Sequence, residues 1–172
     1  MKRNLLLSFL VLLALFFVMR WQGHALITPQ SPRGILDLEL AKTHERFLAL
    51  QLFWDPVAVR TNLYLDFLLI AAYAWFFISG CRYVLHKTKW KRWTARMTTI
   101  SIAAACFDIA ENFLLLLILT GRFSTDVLQV VYYCAILKFL LAAIVAVYLL
   151  TALPIAFFLK RKARQNQAAG AD

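Results

Sequence analysis

Glycine is scarce in this chain, five residues in 172, and none is grouped as a phosphate-cradling loop requires. The same scarcity argues against glycine-broken helices of the kind that form alternating-access transport sites. Cysteine and histidine are equally thin. Cys81, Cys106 and Cys134 fall inside apolar stretches with no CxxC spacing, so they are expected to be small packing residues. His24, His44 and His86 are scattered, "THER" is not a HExxH motif, and no zinc set can be assembled, so neither metal nor cofactor is expected. No serine stands in a GxSxG context, which removes the nucleophile elbow.

Acidic residues are also few, nine against nineteen basic ones. A net charge of +10 suggests nucleic acid when averaged, but the distribution removes that reading. Twelve of the nineteen basic residues lie in three short segments: Lys2 and Arg3, the stretch from Arg82 to Arg96, and Lys160 to Arg164. Trp90 and Trp93 stand within the second, as expected of a loop lying against anionic headgroups.

What the chain has in abundance is apolar sequence, 62% of residues, with a mean hydropathy of +0.69. That places it among integral membrane proteins. Four stretches are candidate spans: 5–19, 62–85, 98–120 and 127–159. The last three are long enough for a hydrocarbon core of about 30 Å. The first is marginal at about 22 Å and needs snorkelling from Lys2, Arg3 and Arg20, or local bilayer thinning, to span. It is read as an uncleaved signal anchor in preference to a cleaved signal peptide, because Arg20 and Trp21 make a good interfacial end. The basic segments alternate with segments of mixed charge, so the positive-inside rule puts both termini in the cytoplasm.

The segment from 20 to 61 then lies outside. "TPQSPRG" favours a turning entry, and "ILDLELAKTHERFLALQLFW" becomes apolar and helical. Short amphipathic helices on the membrane surface or capping the bundle are expected. Thr43 can cap one of them, and Asp55 before Pro56 is a good N-cap and first-turn pair for the second span. The expected fold is an all-α integral membrane four-helix bundle in one domain. A tight hairpin through "TGRFSTD" joins its last two spans, and residues 165–172 form a disordered tail.

Ionisable groups within hydrocarbon are costly, so they turn inward and find partners. Asp108, Glu111 and Asn112 share one helical face with Ser101, Ala104 and Leu115. On the last span Lys138 shares its face with Cys134, Ala135 and Ala142, whose small side chains admit a close neighbour. Counted from the outer ends of their spans, Asp108 and Lys138 are each about 18 Å deep. Lys138 therefore has Asp108 or Glu111 as its expected ion-pair partner. Asn62, Asp66, Tyr73, Phe77 and Gly80 share a face of the second span, with Tyr73 level with the carboxylates and Asp66 nearer the outer surface. One centre is expected to gather Asp66, Tyr73, Asp108, Glu111, Asn112 and Lys138. With two carboxylates for one lysine, charge balance leaves one proton to be held, on Glu111 if Asp108 pairs with Lys138.

The chain resembles a group of small bacterial four-span membrane proteins in the stretches "TPQSPRGI" (Thr28 to Ile35), "ELA" (Glu39 to Ala41), "DIAEN" (Asp108 to Asn112) and "KF" (Lys138 and Phe139). The resemblance implies a bacterial inner-membrane location and treats the outer segment and the polar centre as one unit; it implies no activity. Three functions follow as expectations. The leading one is a non-enzymatic module among membrane lipids that binds a lipid, another lipophilic ligand or a partner membrane protein, and no nucleic acid. The bland form of that reading is a polar clasp that only fixes helix packing. The second is an intramembrane enzyme on a lipophilic substrate, with Glu111 as general acid or base, Asp108 and Lys138 setting its protonation, and Tyr73 or Asn112 orienting the substrate. The third is a proton-coupled transporter working as an oligomer.

Overall fold

The computed structural model describes residues 1–121 and 125–169. Among these the regular elements are helical: α1 (Lys2–Gln22), a single 3-10 turn (Gly23–Leu26), α2 (Leu36–Glu39), α3 (His44–Gln51), α4 (Pro56–Lys87), α5 (Lys91–Ile118) and α6 (Thr125–Ala169). Four of the helices are long and apolar enough to cross a membrane. The all-α four-helix bundle is therefore the fold, and the chain has the character of a multi-pass membrane protein.

The differences from expectation lie at the helix ends. α1 runs over 21 residues, because Arg20 and Trp21 continue the helix. At about 1.5 Å per residue it needs none of the expected thinning. α6 continues through Ala169, so residues 165–169 of the expected disordered tail are helical; "KRKARQNQAA" is built of good helix formers. Residues 170–172 of that tail, and Arg122, Phe123 and Ser124 of the expected hairpin, lie outside the described residues.

α4, α5 and α6 pack on one another, and α1 lies along α4. Residues 23–55 fold over one end of this bundle as a cap. Its entry is a tight turn in which Thr28 and Ser31 pair across an isolated bridge and Gly34 takes a φ of 64°, a conformation that suits glycine. Ser31 ties the cap together: its hydroxyl donates to the Leu26 carbonyl at 2.8 Å and accepts from the Trp54 indole N–H at 3.0 Å. Asp37 accepts from the Arg33 backbone N–H at 2.9 Å and from the guanidinium at 2.7 and 3.0 Å. Both expected caps are present, with Thr43 accepting from Arg46 N–H and Asp55 from Val57 N–H ahead of Pro56.

Two apolar clusters form the core. At the cap end, Leu26, Leu38, Phe47, Leu50 and Trp54 pack against Leu63, Leu115, Ile118, Leu128 and Val131. At the opposite end, Phe77, Cys81, Val84 and Met97 meet Val145, Leu149, Ala152 and Ala156. There α4 and α6 touch closely, since a Cβ on Gly80 would lie 3.0 Å from the Leu149 methyl carbons. Asp66, Asp108, Glu111, Asn112 and Lys138 occupy the layer between the two clusters.

Candidate functional site

Lys138 is the hub of that layer. Its side chain leaves α6 beside Cys134 and Ala135, both buried, and is itself 5% exposed. Nζ donates to Asp108 Oδ1 on α5 at 2.8 Å and lies 3.0 Å from Glu111 Oε2, one turn further along the same face. Its third carboxylate comes from the cap: Glu39 Oε2, at the end of α2, is 3.2 Å away. Around this hub, Tyr73 of α4 donates its hydroxyl to Asp108 Oδ2 at 2.9 Å, and Asn112 of α5 donates its amide to Asp66 Oδ2 at 2.6 Å. The structure thus brings all six expected residues together, and Lys138 meets both candidate partners rather than one.

Glu39 is the residue that sequence reasoning left out of the centre. Its one trace in the sequence is an acid between Leu38 and Leu40, which a surface helix turning that acid to water accounts for equally well. Glu39 is instead 5% exposed, because α2 lays Leu38 and Glu39 together onto the bundle. Burial pushes its carboxyl up to about 7, outweighing the opposing pull of Lys138. Four carboxyl groups, Glu39, Asp66, Asp108 and Glu111, therefore face one ammonium. Glu111 is fully buried and its oxygens accept no hydrogen bond, so Lys138 holds it by charge alone.

Beside the hub is a cavity of about 610 Å³. Phe16 and Met19 of α1 line one side, Phe139 and Ala142 of α6 the other, and Ile27, Gly34 and Ile35 of the cap lie above. Its polar wall is Glu39, Asn62, Asp66, Tyr73, Asp108 and Lys138, while Glu111 lies behind Lys138 and off the wall. Phe16 and Phe139 are 54% and 44% exposed although both line the cavity, so the cleft between α1 and α6 opens sideways toward lipid. Arg20, at the end of α1, and Arg33 of the cap flank it at the cap side.

Among the described residues no group of three or more His, Cys, Asp or Glu side chains is arranged to hold a metal ion. The carboxyl groups converge on an ammonium, and such a centre can bind a polar head group, relay a proton or hold helices in register. Fold and site together define a small helical membrane bundle with a buried acid-rich centre beside a laterally open cavity. No family model, curated protein or solved structure matches the chain.

Proposed function

We propose that this chain is a non-enzymatic membrane module that binds one lipophilic molecule from the surrounding bilayer, with the polar end of that molecule at the Lys138 centre and its hydrocarbon between α1 and α6. The observation that carries the reading is the cavity: about 610 Å³, apolar on both flanks, polar on one wall and open to the side. Its volume falls in the range of about 300 to 1,000 Å³ common to sites for small organic ligands. A site serving only helix packing would be filled by side chains, as it is at the other end of the bundle. The position of Glu111 favours binding over the enzymatic reading, since a molecule in the cavity meets Glu39 and Asp66 before it could reach Glu111.

The basic segments support a bacterial cytoplasmic membrane with both termini inside and the cap outside. Membrane lipids are then the first molecules to reach the cleft. The test is native mass spectrometry of the protein extracted gently from its own membranes, beside Ala142→Trp, which fills the cavity. One extra mass in stoichiometric amount on the wild type, missing from the folded variant, is the expected result. Bare wild type, or the same adduct on both, would refute the cavity as a binding site. A copurifying polypeptide in place of a small molecule would transfer the role to a partner membrane protein.

A further inference from the structure

The donors and acceptors around the cavity are unequal in number, and the inequality specifies a ligand chemistry. The donors in and just behind the polar wall are already engaged within the protein. Lys138 Nζ is given to Asp108 and lies against Glu111 and Glu39, Tyr73 O–H goes to Asp108, Asn62 Nδ2 to Gln22, and Asn112 Nδ2 to Asp66. Acceptors remain. Asn62 is 1% exposed and its Oδ1 accepts no hydrogen bond; Glu39 is 5% exposed, and its Oε2 is held by the charge of Lys138 at 3.2 Å without a hydrogen bond. Asp66 accepts from Asn112 at one oxygen, with no hydrogen bond to the other among the described residues.

The orientation of Asn62 is fixed by its neighbours. Gln22 Nε2 donates to the Ala58 carbonyl at 2.8 Å, so Gln22 can offer only its oxygen to Asn62. Asn62 must therefore spend its NH2 there and turn Oδ1 away. A buried acceptor left unmatched is costly, so the site is completed by a group that brings donors. Four carboxyl groups around one lysine add that this group should be positively charged.

Resting on the binding reading above, we infer that the cavity takes an amphiphile whose head group is a protonated amine, seated among Glu39, Asn62 and Asp66 with its chain leaving between Phe16 and Phe139. An ammonium supplies three donors and a charge, and its hydrogen bonds to carboxylates are of the stronger, charge-assisted kind. A neutral alcohol supplies one donor, and a phosphate seated among these three residues meets acceptors, two of them carboxyl groups. Two sources share this chemistry, an amino-headed phospholipid of the bilayer and a free amphiphilic amine. The phospholipid also carries a phosphate, for which exposed Arg20 at the flank of the cavity is the available cation; Arg33 is held by Asp37.

The experiment uses the full chain in nanodiscs of phosphatidylglycerol, titrated with dodecylamine, dodecanol or dodecyl phosphate and followed by native mass spectrometry and thermal unfolding. Dodecylamine should saturate at one per chain and raise the melting temperature, with dodecanol and dodecyl phosphate weaker by about tenfold or more. Asp66→Asn should remove that preference; Glu39→Gln, outside the spans, should weaken it and decides the matter if Asp66→Asn fails to fold. Adding phosphatidylethanolamine separates the sources. Stoichiometric binding that Arg20→Gln weakens, with dodecylamine unaffected, assigns the phospholipid, whereas dodecylamine binding without phosphatidylethanolamine binding assigns a free amine. Equal binding of dodecanol and dodecylamine, insensitive to both acid substitutions, overturns the amine assignment and leaves the cavity reading standing. If no probe saturates, the cavity reading falls and the amine with it.

Discussion

The two ends of the bundle solve the same problem differently. Away from the cap, α4 and α6 close on each other directly, with Gly80 against Leu149 and Ala152 and Ala156 fully buried. Toward the cap, the helices are joined through charged side chains and α1 stands off from α6 across a cavity of about 610 Å³. Small residues let backbones approach until no space remains, while a lysine reaching three carboxylates holds the elements at the length of its own side chain. The cavity, and with it the binding we propose, is thus located where packing is replaced by charge, while the opposite end is closed by small residues.

The largest effect expected from this contrast is at Lys138. Lys138→Met removes the one cation from four carboxyl groups and should cost about 3 to 5 kcal/mol, seen as loss of a cooperative thermal transition in detergent. A variant that melts like the wild type would show that the centre does not hold the helices. Leu149→Ala comes next and probes the other end. It should cost about 2 kcal/mol, the low part of the cavity-forming range, because lipid is as apolar as the space vacated. It should leave the ligand adduct intact; an adduct lost together with stability would mean the two ends are not separate in function.

A smaller effect is expected at the cap. Trp54→Phe keeps most of the ring but deletes the donor to Ser31, at a cost of about 1 kcal/mol, read as faster hydrogen exchange in residues 26–41 with little change in the rest of the bundle. The smallest in extent is a pH effect confined to α2. Burial raises the Glu39 carboxyl from 4.5 to about 7, so the folded cap holds that proton more tightly than an open one does. Docking of α2 is therefore strongest below about pH 4.5 and weakens as pH rises through 7. Exchange of the α2 amides, corrected for intrinsic rate, should grow relative to α5 between pH 5.5 and 8.5, and Glu39→Gln should flatten the difference. Growth that persists in Glu39→Gln would assign the titration to another group.

Much of this was legible in the chain before folding. The helices that can span, the caps at Thr43 and Asp55, the inward face of Asp108, Glu111 and Asn112, and the level match of Lys138 all rest on hydrophobic length and helical period, which are local properties. The helix ends at Gln22 and Ala169 were not legible, because amphipathic and polar sequence can continue a helix without any change in hydropathy. Glu39 was not legible as a fourth acid, since "LDLELA" reads equally well as a surface helix when nothing says which face is covered.

The sequence by itself determined that this is a helical membrane protein with an acid and amine layer partway along its spans, for burying such groups in hydrocarbon leaves them no partners but one another. Only the tertiary structure decided that α2 delivers Glu39 to Lys138, that Gln22 turns the Asn62 oxygen away, and that α1 stands clear of α6 to leave a cavity. The first two depend on contacts between residues far apart in the chain, Glu39 with Lys138 and Gln22 with Asn62, and the third on residues further apart still, Phe16 and Phe139, which no local period encodes.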